Sequence, residues 1–425
     1  MTSNHDVVIP TLDIRGDRIA DDIAGFAALS ESGPGVTRLA YSPLEREAHR
    51  IFSDRMQELG LSVHTDAAGN TIAELAPTEP ETDGRIIGTG SHLDSVPHGG
   101  RFDGIAGVVA AMEVARAVVR GGGVRRRRWR FVVFAAEEGA RFGQACNGSR
   151  MVAGLTRSAE LDSLVDAAGV SMAVAMREVG LDPTAIASSR WNSDEWLGFI
   201  ELHIEQGAVL ESREIEVGVV DVISGSTRLL VTVRGQASHT GGTPMHLRRD
   251  ALVTASECVL ASDRIANNPE HHGTRVTVGR IEVRPGSITT IPGWAEFSVD
   301  IRDVDSDRQR RTAEELVAEF ERIASGRNTD LDVELMGDTS PVVLPVWVAD
   351  HIVAAAAELG MRYRILPSGA SHDSQQVNRI APTGMIFVPS RDGLSHVPEE
   401  FTSVEQIAAG TRVLLAALMR LDASV

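Results

Sequence analysis

The sequence predicts an α/β protein with a second, α+β domain inserted into the first. Three observations carry this. In the first half of the chain, short buried-type apolar runs alternate with helical segments, the pattern of a sheet covered on both faces. Near residue 222 the pattern changes to strands of alternating polarity and two amphipathic helices. After Pro341 the alternation of helices and apolar strands resumes. The expected division is 1–222 and 337–425 for the first domain and 223–336 for the inserted one.

In chain order, residues 18–60 read helical, with Ser42 as N-cap, Pro43 at the first helical position and Gly60 at the end. "LSVHTDAAGNTIAEL" reads as two strands around an Ala-Gly-Asn turn. "RIIGTGSHLDS", "WRFVVFAAEEG" and "LGFIELHIEQG" read as buried strands, and "GIAGVVAAMEVARAVV" as a helix between the first two. In the inserted part, "STRLLVTVRG", "RVTVGRIEVRPG", "AEFSVDIRDVD" and "LDVELMGD" alternate as half-buried strands. "MHLRRDALVTASECVLASDRIA" and "SDRQRRTAEELVAEFERIAS" are amphipathic helices on one sheet face. "VWVADHIVAAAAELG", "TGMIFVPS" and "SVEQIAAGTRVLLAALMRLD" complete the first domain as helix, strand and helix.

Composition narrows the function. The 425 residues carry a formal charge of −18, which argues against nucleic-acid binding. The one basic run, Arg125–Arg130, reads as a solvated strand entry. There is no apolar stretch long enough to span a bilayer, and the opening residues lack the layout of a signal peptide. Two cysteines, Cys146 and Cys258, cannot make a disulfide framework, so a cytoplasmic setting is expected. The chain has no lysine, which excludes a Schiff base, a P-loop lysine and a carbamylated-lysine metal bridge.

What remains is a set of histidines and acids placed at predicted strand ends. His92 and Asp94 stand two apart, Asp103 precedes a helix, Glu137 and Glu138 end the second buried strand, His203 ends the third, and His396 follows "TGMIFVPS". In open α/β sheets, sites form beyond the carboxyl ends of the strands. One zinc takes about four donors, so His92, Asp103, Glu138, His203 and His396 suffice for two ions if Asp103 bridges. Asp94 would then orient His92, and Glu137 is left over as the proton carrier. Two close metals can activate one water between them. Such donors accept zinc, manganese, cobalt or nickel. Cys146 reads as a small buried residue rather than a nucleophile.

These segments, together with "GQASHTGGTPMHLRRDA", "DIR" and "LSHVPEEF", resemble the amidase, hydantoinase and carbamoylase branch of the M20 metallopeptidase superfamily. Its members include N-carbamoyl-L-amino-acid hydrolases, allantoate and ureidoglycolate amidohydrolases and β-ureidopropionases. The resemblance implies a mixed-sheet catalytic domain carrying two divalent ions and an inserted lid that also forms a homodimer. One ion would sit on His92, Asp103 and His203, the other on Asp103, Glu138 and His396, with Glu137 as acid/base. His239 would reach the partner subunit's active site and polarise the scissile carbonyl there, Arg302 would grip a substrate carboxylate, and Gln206, Thr289 and Gly369 would line the substrate. Thr289 stands where the family usually has Asn, and Ser371 where it commonly has Gly, so specificity is where this chain departs. The expected reaction is hydrolysis of a linear, non-peptide C–N amide bond in a small ureido acid, such as an N-carbamoyl-L-amino acid. The alternative is an N-acyl-amino-acid amidohydrolase or dipeptidase of the same superfamily.

Overall fold

In the computed structural model the described residues are 13–79, 83–122 and 124–424. The first twelve residues, where a signal peptide would begin, lie outside them. The chain divides into two compact units, Met1–Asp221 with Leu344–Val425, and Val222–Val343.

The first unit begins with α1 (Gly16–Ala27) and α2 (Pro43–Glu58), so the helical stretch expected at 18–60 is two helices with a loop between them. Ser42 caps α2 by accepting the Glu45 amide, and Pro43 needs no amide partner there. Strands β1 (Ser62–Thr65), β2 (Thr71–Leu75) and β3 (Ile86–His92) follow, then α3 (Ile105–Gly121), β4 (Arg128–Phe134), α4 (Asn147–Val152), α5 (Met172–Glu178), β5 (Trp196–Ile204), α6 (Val209–Ser212) and β6 (Val217–Ile223).

The second unit contains β7 (Gly225–Arg234), β8 (Ser238–His239), α7 (Ala251–Ala266), β9 (Arg275–Thr277), β10 (Ile281–Arg284), β11 (Thr290–Ile291), β12 (Trp294–Asp303), α8 (Ser306–Gly326), β13 (Asp330–Thr339) and β14 (Val342–Val343). It therefore runs past the boundary drawn at 336. The reason is that β13 stays paired with β7 to Thr339, across an irregularity between Leu335 and Gly337. The chain then completes the first unit with α9 (Val346–Glu358), β15 (Tyr363–Ser368), α10 (Asp373–Val377), β16 (Thr383–Val388) and α11 (Val404–Ala423).

The sheet of the first unit runs β1-β2-β4-β3-β5-β16-β6. The neighbours β4, β3, β5 and β16 are parallel, so their carboxyl ends share one edge. They are buried on both faces, which is why each reads as a continuous apolar run. The main core lies between the sheet and α1, α2, α3, α9 and α11, around Phe26, Phe52, Val109, Ile200, Ile386 and Leu414. On the other face Phe134, Trp191, Trp196 and Phe199 pack together. The Arg125–Arg130 run is not simply solvated. Arg127 is buried, with its guanidinium on the Asp422 carbonyl and its amide on the Asp422 carboxylate, so the run fastens β4 to α11.

The second unit is an antiparallel sheet, β10-β12-β7-β13 with β9 on β12. Its core gathers Val231, Val233, Phe297 and Val299 of the sheet with Ala255 and Cys258 of α7 and Leu316 and Phe320 of α8. Strict alternation along β12 puts every second residue into that core.

Candidate metal centre

The carboxyl ends of the parallel strands deliver the donors. His92 is the last residue of β3 and is directly opposite Phe134, the last of β4. His203 lies one residue before the end of β5, opposite Phe387 of β16. His396 comes eight residues after β16, in the left-handed region at φ 61°. The two glutamates follow β4 rather than end it. The strand stops at Phe134, and Ala136 turns the chain at φ 55°. That break lets adjacent residues face one site, which a continuing strand forbids.

Asp103 is the centre. Its Oδ1 lies 3.1 Å from His203 Nε2 and 3.6 Å from His92 Nε2. Its Oδ2 lies 3.2 Å from His396 Nε2, and Glu138 Oε1 is 3.5 Å from that same nitrogen. One carboxylate thus splits two donor groups, His92–Asp103–His203 and Asp103–Glu138–His396, each with its ligand atoms close enough for a single ion. Nitrogen and carboxylate oxygen donors in threes suit zinc or another first-row divalent ion. Glu137 lies on the His92 side, with Oε2 at 3.9 Å from His92 Nε2.

A third group of donors, Glu201, His203 and His372, is also buried together. Its atoms are committed elsewhere. Glu201 accepts from Ser91 Oγ at 2.8 Å and from the amide and hydroxyl of Ser374. His372 Nε2 meets Ser368 Oγ at 2.8 Å, and His203 Nε2 faces Asp103. This is a hydrogen-bonded support beneath the first two groups.

Supporting contacts fix the donors. His92 Nδ1 donates to the backbone carbonyl of Asp94 at 3.1 Å, and His203 Nδ1 to that of Ile204 at 2.9 Å, so in the neutral rings Nε2 is the nitrogen with the lone pair a metal needs. The Asp94 carboxylate is 3.5 Å from His92 Nδ1 and bonds elsewhere: it accepts the amides of Glu137 and Glu138 at 3.0 and 2.9 Å. Asp94 therefore holds both halves of the site. Glu400, which no sequence pattern singled out, accepts the amides of Phe102 and Asp103 at 2.9 and 3.1 Å and the Ser395 hydroxyl at 2.9 Å. Its only signal is its place in "PEEF", four residues after His396. Glu45 is equally hidden, since a glutamate three residues after Ser42 reads as a helix cap.

The electrostatics ask for cations. Burial works against charge on His92, His203 and Asp103. The bonds among them outweigh it, so both histidines sit above their ordinary value and Asp103 well below. Burial pushes Glu137 well up, and burial with the Asp103 charge lifts Glu138 to about 7. The Asp103 bond raises His396 to about 9 against burial. Without an ion, protons supply the positive charge that a metal would bring. The bonds holding a proton on His396 are fully present below the ordinary histidine value and are lost as pH rises through about 9. A metal must displace that proton. Apparent metal affinity is therefore expected to rise as pH is raised from about 6 towards 9, measurable by competitive titration with a chromophoric chelator.

Gly104 is required by both backbone and space. Its φ is +66°, and a Cβ there would lie 2.5 Å from the His92 ring. Gly104→Ala is expected to cost about 1–3 kcal/mol in backbone strain alone and to displace His92. Denaturant unfolding with metal analysis of the folded protein checks both effects.

The residues expected to meet substrate are divided between the units. Gln206 donates from Nε2 to Asp103 Oδ2 at 2.7 Å, while its Oε1 is buried with no partner among the described residues. Gly369 directly follows β15 and is half-buried. His239, Thr289 and Arg302 belong to the second unit. His239 is exposed, and its Nδ1 accepts the amides of Gly241 and Gly242 at 3.0 and 3.1 Å, so its proton is on Nε2. Thr289 adjoins it through the Thr290–His239 pairing of β11 and β8, and Arg302 on β12 meets Asp300 at 2.9 Å. Cys146 is buried, and burial pushes its thiol well up, away from nucleophilic character.

Comparison with known proteins shows what the chain as a whole is similar to. Residues 60–420 match Peptidase family M20/M25/M40. The N-carbamoyl-L-amino-acid amidohydrolase of Paenarthrobacter aurescens is 41% identical over 96% of this chain and 98% of its own. The allantoate amidohydrolase of Escherichia coli K12 is 34% identical over 91% of this chain and 93% of its own. A crystal structure of an amidase of the hydantoinase/carbamoylase family from Burkholderia vietnamiensis superposes with a TM-score of 0.88 at 32% identity, covering 98% of this chain and all of that one.

Proposed function

Because the chain belongs to Peptidase family M20/M25/M40, we propose that its buried cluster of histidines and carboxylates is a two-metal amidohydrolase centre. The chain is a ureido-acid amidohydrolase, a hydrolase of linear C–N amide bonds of the kind its carbamoylase and allantoate relatives are named for. The observation that carries the two-metal reading is the Asp103 carboxylate, with one oxygen in each donor group. His92 and His203 would hold one ion and Glu138 and His396 the other, with one oxygen of Asp103 offered to each. When bound, the pair lowers the pKa of a water and polarises the scissile carbonyl. Zinc or manganese suits the donors best.

The chain's own groups do the rest. Glu137 takes the proton of the attacking water and passes it to the departing nitrogen. In the proposed dimer the Nε2–H of His239 serves the partner subunit's centre as a donor for the oxygen that becomes negative. Arg302 grips the substrate carboxylate, and the buried Oε1 of Gln206, without a partner among the described residues, accepts a ureido N–H. A ureido acid releases carbamate, which decomposes to carbon dioxide and ammonia. Thr289 reaches less far than the amide side chain usual in the family, so a substrate with one fewer polar group at that point is favoured. We also propose a homodimer joined through the second unit, because β13 is an edge strand on which Leu335 and Met336 are exposed, and a cytoplasmic setting, because two cysteines cannot make a disulfide framework.

The test is ammonia release from a panel of N-carbamoyl and ureido acids, with added Mn²⁺ or Zn²⁺. Turnover of at least one member is expected. Turnover confined to N-acyl amino acids, without ammonia, would reassign the substrate class, and light scattering reads the dimer.

A further inference from the structure

We propose that Cys146 and Glu45 are positioning residues for Glu137, which between them fix the direction of its carboxylate. This rests on the reading of Glu137 as the proton carrier. The segment Ala135–Glu138 is clamped from both sides. On one side Ala136 donates its amide to Glu45 Oε1 at 2.8 Å, beside the two amides that Asp94 accepts. On the other side the carbonyls of Ala135, Ala136 and Glu137 accept the amides of Gly148, Asn147 and Cys146 at 2.9, 2.9 and 2.6 Å.

Glu45 is fully buried on α2, far away in sequence, and its second oxygen accepts the Tyr41 amide at 2.6 Å. A helix cap needs no carboxylate oxygen on Ala136, so that bond is available to do something else. Ala136 is a non-glycine residue in the left-handed region, a conformation that persists where surrounding bonds impose it. Glu45 supplies one of those bonds at the residue that aims Glu137.

Cys146 acts on the side chain itself. Its Sγ lies 3.0 Å from Glu137 Oε1 as donor, and it too is in the left-handed region, at φ 59°. The thiol occupies Oε1. Oε2 is the oxygen that lies towards His92, so it is the one left to carry the proton. A carboxylate anchored at one oxygen is held in one rotamer, and an error of about 1 Å in a reacting group can cost 10²-fold in rate.

The experiment is steady-state kinetics of the metal-loaded full chain with Cys146→Ala, Cys146→Ser, Glu45→Gln and Glu137→Gln, and with each positioning change also made on the Glu137→Gln background. Cys146→Ala and Glu45→Gln are expected to lower kcat roughly tenfold with KM held within about twofold, and Cys146→Ser to recover most of the loss because it restores a donor. On the Glu137→Gln background neither change is expected to lower the residual rate further. If Cys146→Ala keeps full kcat while Glu137→Gln is inactive, the positioning role is overturned and the Glu137 reading stands. If Glu137→Gln itself keeps full activity, the reading beneath it is overturned. Should Glu45→Gln fail to fold, the cysteine pair decides the question alone.

Discussion

Glu137→Gln is expected to lower kcat by about 10²–10⁴-fold, the contribution of a positioned proton-transfer group, while the metal content per chain stays unchanged. Glutamine has the same shape, and its amide oxygen can still accept the Cys146 thiol. The backbone bonds from Glu137 and Glu138 to Asp94 are untouched, so the Glu138 carboxylate stays in place. What is lost is the ability to take a proton and give it back. Burial disfavours a charged carboxylate at this position, and a nearby dication works against that preference. Ammonia release with elemental analysis of the same sample checks the prediction. Unchanged turnover would mean that another group moves the proton.

Asp103→Asn is expected to act differently, through the metals. Asparagine offers one carbonyl oxygen where Asp103 offers two. Whichever way the amide turns, one donor group faces an NH₂ instead of an oxygen. The site also loses the negative charge that three histidines share. Metal affinity is expected to fall by at least about 10²-fold, the upper end of the loss seen when only a ligand's supporting partner is removed. Activity falls with it. In the metal-free variant the His396 pKa drops from about 9 towards its ordinary value, because the Asp103 bond is the first cause of its rise. A histidine titration followed by NMR reads that shift. Retention of both metals by the variant would refute the bridging assignment.

Much of this molecule is legible in the chain itself. The four central strands announce themselves as apolar runs because parallel strands covered on both faces have no solvent side. Their ends carry His92, His203 and the acids, and the rule that sites form at carboxyl ends then gathers residues as far apart as His92 and His396. The alternation of β12 and the amphipathic helices separate the second unit, because one of its sheet faces meets water. These are periodicities, and a periodicity is a local property.

The tertiary structure decided what depends on contact between distant segments. Adjacent residues such as Glu137 and Glu138 normally diverge, and they converge here because β4 stops at Phe134 and Ala136 turns the chain. Glu45 and Glu400 carry no local mark, since a buried carboxylate that accepts amides from another segment looks, in sequence, like a helix cap or a loop acid. Asp94 was legible as a partner of His92, yet its carboxylate serves the glutamates, because its reach is set by how β3 and β4 end side by side. The sequence by itself determined which residues could bind metal and at which edge they would meet. Only the fold decided which oxygen faces which nitrogen, because that depends on backbone turns and buried bonds made across the chain rather than along it.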